Sequence, residues 1–255
     1  MKHGDFTALA KNYAQYRPGY SPFVLDAFLG CASKPASALC CADVGAGTGI
    51  WTRQVLARGV TVDAVEPNDA MRTEGERQSA GLPVHWHAGS AEHTGLEPQQ
   101  YNMVTMASSF HWPDFDESVK EFCRILLPNG LFMALWNTRR YESNPLLVDI
   151  ENYLHTLVPG MKRISSGRSE FCATLTDRLL QCGSFSDVIY VEGRHTELQT
   201  PAHYIGLWES VNDVRVQAGE ERFKKFIEYI RCVTSDVDQI EAEYTTRAWI
   251  ARKKD

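Results

Sequence analysis

The residues best equipped for chemistry stand in one stretch, Asp43-Val44-Gly45-Ala46-Gly47-Thr48-Gly49, where a carboxylate precedes three glycines at alternate positions. An apolar run from Leu39 to Ala42 enters it and an amphipathic run from Ile50 to Ala57 leaves it, which reads as strand, tight turn and helix. Glycine is required in such a turn because the backbone takes φ > 0 and because a ligand approaches the main chain closely. The stretch is therefore a nucleotide-type cradle. A dinucleotide fingerprint, G-x-G-x-x-G/A, is excluded by Ile50 in the last place counted from Gly45 and by Thr52 counted from Gly47. A triphosphate loop needs a lysine after its last glycine, and none follows Gly49.

The surviving pattern, D-x-G-x-G-x-G, resembles the class I S-adenosylmethionine (SAM) methyltransferases. The carboxylate suits that ligand, because SAM carries an ammonium and a sulfonium and no phosphate. The resemblance implies that Asp43, Gly45, Ala46 and Gly47 hold the cofactor. Upstream, the stretch Tyr13-Ala14-Gln15-Tyr16-Arg17-Pro18-Gly19-Tyr20-Ser21-Pro22 breaks any helix begun between Phe6 and Tyr13, and gathers three tyrosines and an arginine around the break. By residue chemistry alone this is a segment that packs on the core. It also resembles the Y-x-x-Y-R-P-x-Y-x-P signature of small-molecule methyltransferases of the trans-aconitate type, in which the segment folds over cofactor and substrate. On that likeness Tyr13 and Tyr16 wall the methyl-donor end and count as catalytic, since a ring face holds a sulfonium by cation–π attraction. Arg17 then pairs with the SAM carboxylate.

A second acid follows at the right distance. Thr61-Val62-Asp63-Ala64-Val65-Glu66-Pro67-Asn68 is a strand ending in a carboxylate, and an acid roughly 20 residues past a glycine turn accepts from both hydroxyls of a ribose. Glu66, with Pro67 beside it, is the strongest single ligand candidate. Met71, one turn into the next helix, is placed to cover an adenine face. The family commonly has G-D-A-E where this chain has Gly89-Ser90-Ala91-Glu92. Serine for aspartate removes a charge and keeps an acceptor for the adenine amine, so Ser90, Ala91 and Glu92 join the cofactor set.

The acceptor side comes next along the chain. Tyr101-Asn102-Met103-Val104-Thr105-Met106-Ala107-Ser108 is a strand whose carboxyl end faces the transferable methyl, as ligands do in open parallel sheets, which brings in Ala107 and Ser108. Ser109-Phe110-His111-Trp112 resembles the A-x-H-W pattern closing this strand in the same group, and lacks the N/D-P-P-Y/F of amino-methylating nucleic-acid enzymes. Methyl transfer asks first for positioning, which supplies on the order of 7–11 kcal/mol of a barrier. His111 is the candidate base, worth roughly 10²- to 10⁴-fold if the acceptor arrives protonated; the alternative is that it only positions the cofactor carboxylate or a water. An acceptor carboxylate needs no base, and Arg139 or Arg140 would then clamp it in bidentate fashion. Trp112 and Trp136 complete the expected substrate set.

These residues must be held by a sheet. Pro22 to Gly30 reads as a helix with Ser21 as N-cap. Val84-His85-Trp86-His87 is a short strand whose two histidines share one face; a zinc reading is set aside for want of a third ligand beyond His93. A helix capped by Asp114 or Asp116 carries Val119, Phe122, Cys123, Leu126 and Leu127 on one face and stops at Pro128-Asn129-Gly130. Leu131 to Trp136 is a fully apolar strand with both faces covered. From Tyr141 to about Phe185 the spacing predicts a helix from Pro145 to Val158, a polar loop with Gly160, Ser165, Ser166 and Gly167, and a helix from Leu175 to Gln181. Val188 to Val191 and Ile240 to Ala251 are the last strands, with helices near 202–211 and 220–232 between them. The expected fold is α/β, a doubly wound, seven-stranded, mostly parallel sheet with a helical lid insertion. The strand order 3-2-1-4-5-7-6 is what the resemblance implies. One domain is expected, with residues 1–38 as a cap, 39–137 holding the cofactor, and 138–186 and 197–235 as lid and helical additions.

At 255 residues the chain can bury a sizeable core, and a net charge of −6 argues against a nucleic-acid surface. Seven cysteines without a C-x-x-C, an N-terminus lacking the apolar core of a signal peptide, and no run of 18 apolar residues lead to the expectation of a cytoplasmic protein that meets no membrane. No metal is expected, and a monomer or homodimer is. The leading function is methylation by SAM of an oxygen or nitrogen on a small molecule, with S-adenosylhomocysteine as product. Two other readings keep the cofactor: a SAM-binding enzyme that steers a rearrangement or cyclisation without transferring methyl, and a non-catalytic SAM-binding partner protein.

Overall fold

A computed structural model describes residues 7–161, 167 and 169–254. Readings that touch residues 1–6, Ser165 and Ser166 lie outside the described residues.

Seven strands form one sheet: β1 (Cys40–Val44), β2 (Thr61–Val65), β3 (Val84–His87), β4 (Tyr101–Ala107), β5 (Leu126–Arg140), β6 (Phe185–Gln199) and β7 (Ile240–Lys253). Their order is β3-β2-β1-β4-β5-β7-β6, with the first five parallel and β7 antiparallel to both its neighbours. The doubly wound α/β sheet expected from the sequence is therefore present. Before β1 lie α1 (Ala10–Tyr16) and α2 (Pro22–Gly30); between the strands come α3 (Ile50–Leu56), α4 (Asp69–Gln78), α5 (Phe115–Ile125), α6 (Pro145–Leu157), α7 (Glu170–Gln181), α8 (Pro201–Glu209) and α9 (Asn212–Val233).

Two cores sandwich the sheet. On one face α5 and α7 pack over Phe110, Phe122, Phe132 and Phe185, whose rings stand 5.0 to 5.9 Å apart in successive pairs. On the other, α2 and α3 cover Met133 and Leu135 with Phe28 and Trp51. Each such side chain, fully buried, contributes roughly 1.5–3 kcal/mol. A third cluster, Leu154, Trp208, Phe226 and their neighbours, joins α6, α8 and α9 into a separate cap.

Several boundaries differ from the sequence reading, each for a tertiary reason. The helix carrying Val119 and Phe122 ends at Ile125, because Leu126 already pairs with Tyr101 across β4 and β5. Pro128-Asn129-Gly130 is then an irregularity inside β5, with Asn129 at φ 59°, rather than a helix stop. β6 runs for 15 residues instead of four, since β7 pairs along almost its whole length and only one face of this edge strand needs apolar residues. α9 is broken at Gly219, whose φ of 73° and ψ of 161° are non-helical, so the helix expected near 220–232 is present and a shorter helical stretch from Asn212 precedes it. Ser21 precedes α2 but does not cap it with its side chain, its N–H instead donating to Thr246 Oγ1 at 2.8 Å. Asp114 Oδ1 does cap α5, accepting from Glu117 N at 2.9 Å. The segment between β5 and β6 divides: α6 joins the cap, while Leu175 and Leu179 of α7 pack on the sheet. His85 and His87 do share a face, and both approach Asp63 Oδ1, at 3.2 and 3.6 Å.

Candidate active site

The glycine turn has the conformation its residues require. Gly45, Gly47 and Gly49 stand at φ 66°, 59° and 76°, and the N–H groups of Gly45 and Ala46 donate to Val65 O at 2.8 and 3.0 Å, tying the end of β1 to the end of β2. A Cβ on Gly45 would lie 2.7 Å from Ser109 Oγ. Gly45→Ala is accordingly expected to cost roughly 1–3 kcal/mol from the left-handed backbone and the close contact together, measurable as a drop in thermal midpoint. An unchanged midpoint would show that the turn relaxes freely.

The turn floors a cavity of ≈ 370 Å³ at the carboxyl ends of β1, β2 and β4. Gly45 and Gly47 line it, whereas Ala46 does not, and its N–H is taken by Val65 O. Glu66 stands at the wall, 7% exposed, its Oε2 accepting from Gly47 N and its Oε1 from Asn68 N, both at 2.8 Å. Burial raises its pKa against the pull of those two N–H groups. Pro67 and Met71 line the same wall, and Asn68 Oδ1 caps α4 by accepting from Met71 N. Ser90, Ala91 and Glu92 close the next side. Burial opposes ionisation of Glu92, but hydrogen bonds from Ser90 and from backbone N–H groups hold its pKa below the usual value.

Asp43 is placed differently from its sequence reading. It is fully buried beneath the turn, accepting from Thr52 Oγ1 at 2.5 Å and Thr105 Oγ1 at 3.1 Å, and it does not reach the cavity. It bolts β1 to α3 and β4. Burial pushes its pKa up to about 7. A carboxyl whose folded pKa lies above its unfolded one stabilises fully only below the unfolded value, so this contribution disappears as pH rises from about 4 through 7. Replacement by Asn, which carries no charge to bury, is expected to gain on the wild type over that window by an amount on the order of 4 kcal/mol. Urea unfolding of both proteins from pH 4 to 8 measures it, and a pH-independent difference would refute it.

At the end of β4, Ala107 and Ser108 line the cavity as expected. Ser108 takes φ 56°, unusual for a residue with a side chain. It is held there by its N–H on Leu135 O at 2.7 Å and by its Oγ, 2.9 Å from the hydroxyl of Tyr20. Tyr13 and Arg17 form the roof, the guanidinium 4.8 Å over the Tyr13 ring and Nη2 donating to Ser210 O at 3.0 Å. Tyr16 does not belong to the roof. Its ring packs edge-on against His203 at 5.2 Å and lies against Gly206, so it fastens α1 to α8.

The expected acceptor residues scatter. Trp112 is 44% exposed at the cavity rim. His111 lies behind the wall, Nδ1 accepting from Trp136 Nε1 at 3.2 Å, and burial lowers its pKa to about 4 against the pull of Asp213. Trp136 itself is fully buried in the sheet core. Arg139 and Arg140 are not at the rim: Arg139 Nη1 sits 3.1 Å from Glu151 Oε1 and over the Trp208 ring at 4.1 Å, and Arg140 Nε is 3.4 Å from Glu243 Oε2. Two parallel-looking guanidiniums in sequence thus face opposite partners, because alternate residues of β5 point to opposite sides. Sequence reasoning missed Tyr20 and Asn137, which line the cavity. Tyr20 belongs to the aromatic signature already singled out; Asn137, whose Nδ2 donates to Gly19 O at 2.6 Å, gave no signal beyond following a strand.

Known proteins resemble this chain in sequence and in fold. The methyltransferase domain family matches residues 41–130, which hold the turn, Glu66 and the β4 loop. An uncharacterized methyltransferase of Mycobacterium tuberculosis is 34% identical over 136 residues, 53% of each chain, so the chain spans about half the length of that curated relative. An uncharacterized methyltransferase-like protein of Schizosaccharomyces pombe is 27% identical over 232 residues, 83% of this chain and 81% of that one. Among solved structures, a candidate type II methyltransferase of Anaeromyxobacter dehalogenans superposes with a TM-score of 0.67 at 19% identity, covering 94% of this chain and 98% of its own. Sheet order and solved structures agree that the chain has the class I methyltransferase fold, and its residues 41–130 match the methyltransferase domain family.

Proposed function

We propose that the protein transfers a methyl group from SAM to a small-molecule acceptor. One observation carries this reading: a buried carboxylate, Glu66, is fastened to the N–H of Gly47 at the wall of a cavity floored by the glycine turn. That juxtaposition suits an adenosyl group without phosphates, with Glu66 on the ribose, Met71 and Ser90 to Glu92 around the adenine, and Gly45 and Gly47 allowing close approach. Tyr13 and Arg17 would hold the methionyl end, by ring face and by guanidinium. When bound, the donor supplies an electrophilic methyl; the residues described above exclude water, orient it and fix the line of attack. Calorimetry with S-adenosylhomocysteine tests the reading. Micromolar binding supports it, and no heat with that compound alongside binding of a nicotinamide or a nucleoside triphosphate would overturn it.

A further inference from the structure

Tyr20 and Ser108 both line the cavity, and the hydroxyl of the first stands 2.9 Å from Oγ of the second. Both are held there by contacts that need no ligand. Gln54 of α3 grips the Tyr20 backbone on both sides, its Oε1 accepting from Tyr20 N at 2.8 Å and its Nε2 donating to Tyr20 O at 2.9 Å. The preceding residue is fixed as well: Gly19 N donates to Glu197 Oε1 at 2.9 Å, and Gly19 O accepts from Asn137 Nδ2 at 2.6 Å and lies 3.1 Å from His195 Nε2. The Tyr20 ring is 8% exposed and meets Trp51 edge-on at 5.5 Å. Ser108 keeps its left-handed backbone through its N–H on Leu135 O. Backbone outliers of this kind persist only where the surroundings fix them, and they cluster at functional sites.

Strand order decides which part of a ligand meets these hydroxyls. Along β3-β2-β1-β4-β5 the cavity is lined by Ser90 to Glu92 after β3, Glu66 after β2, the glycine turn after β1, Ser108 after β4 and Asn137 in β5. With adenine at the first and ribose at the second, the rest of an adenosyl sulfonium runs on toward the end of β4. Each hydroxyl carries one proton and two lone pairs, and the hydrogen bond between them uses one of each. Neither oxygen has a further hydrogen bond among the described residues, so lone pairs remain for a ligand. Burial raises the Tyr20 pKa, so the phenol stays neutral and does not act as a base.

We propose that the hydroxyl oxygens of Tyr20 and Ser108 receive the transferable methyl of SAM, accepting C–H···O contacts from it, so that this end of the cavity tells the methylated donor from its demethylated product. The inference rests on the SAM reading of the cavity. A methyl on a sulfonium carries part of the positive charge on its hydrogens, and a neutral oxygen attracts them without the cost of burying a carboxylate. S-adenosylhomocysteine has no such methyl and gains nothing from either oxygen. The ring face of Tyr13 attracts the same charge, whereas two oxygens at a fixed place also give it direction.

Calorimetry with SAM and with S-adenosylhomocysteine, no methyl acceptor being present, tests the proposal through the ratio of the two dissociation constants. Tyr20→Phe removes one oxygen and keeps the ring against Trp51; Ser108→Gly removes the other and tolerates the positive φ. SAM is expected to weaken roughly two- to fivefold in each variant and about 5- to 30-fold in the double variant, while S-adenosylhomocysteine stays within about twofold of the wild type. Equal weakening of both ligands, or of neither, overturns the proposal, and the single variants carry the test should the double variant fail to fold. With SAM carrying a ¹³C methyl, the proton resonance of the bound methyl is expected to move upfield in Tyr20→Phe; a resonance that stays in place counts against the contact. Should S-adenosylhomocysteine fail to bind the wild type, the cofactor reading falls and the proposal with it, whereas binding with an unchanged ratio removes the proposal alone.

Discussion

Replacing Glu66 with Ala is expected to weaken binding of S-adenosylhomocysteine by on the order of 10²- to 10⁴-fold. Two hydrogen bonds from a ribose to an ionised acceptor are worth roughly 1.5–3 kcal/mol each, and each 1.4 kcal/mol is tenfold. The same carboxylate also accepts from Gly47 N and Asn68 N, so its loss leaves two N–H groups of the turn to find other partners. Glu66→Gln separates these roles. An amide oxygen can still accept from one N–H while the second position becomes a donor, so its affinity should fall between wild type and Ala. Calorimetry on both variants, with circular dichroism to confirm folding, decides the matter. Wild-type affinity in Glu66→Ala would remove Glu66 from the cofactor site.

The second large effect is on stability and lies away from the cavity. Arg139→Ala is expected to destabilise the protein by about 3–5 kcal/mol, because it leaves the carboxylate of Glu151 buried without its guanidinium. The pair is well shielded, with side chains 11% and 6% exposed, and the guanidinium also lies over Trp208 at 4.1 Å and Tyr204 at 5.8 Å. This contact joins the end of β5 to α6 and α8, so the cap should loosen first. Combining Arg139→Met with Glu151→Leu, which removes both charges and keeps the volume, is expected to recover most of the loss, since an ion pair in such surroundings gains little over apolar packing. Urea unfolding of the single and double variants measures both. A single variant as stable as the wild type would show that water reaches the pair.

Glu66 stands at the cavity wall, where its spacing places it, because a strand end at a set distance from a glycine turn leaves little freedom in where a carboxylate can go. Arg139 was assigned to the acceptor because two arginines follow a strand end, and linear spacing holds no information about Glu151, twelve residues on and one helix away. Asp43 was misplaced for a related reason. The pattern D-x-G-x-G-x-G shows that an acid precedes the turn, but Thr52 and Thr105, which draw its carboxylate under the sheet, come from α3 and β4. Tyr13 and Tyr16 look alike in the signature, and only the packing of α1 between α4 and α8 sends one to the roof and the other to Gly206.

By itself the sequence determined the alternation of strands and helices, the glycine turn with its left-handed backbone, and the acid at the end of the second strand. These are local matters, decided by side-chain periodicity and by which residues tolerate φ > 0. Only the tertiary structure decided which polar groups meet: that Trp136 covers Nδ1 of His111, that Asp43 is buried at a pKa of about 7, and that Arg139 belongs to the cap. Such pairings set charge and proton position, and they depend on distances between segments far apart in the chain, which no local pattern encodes.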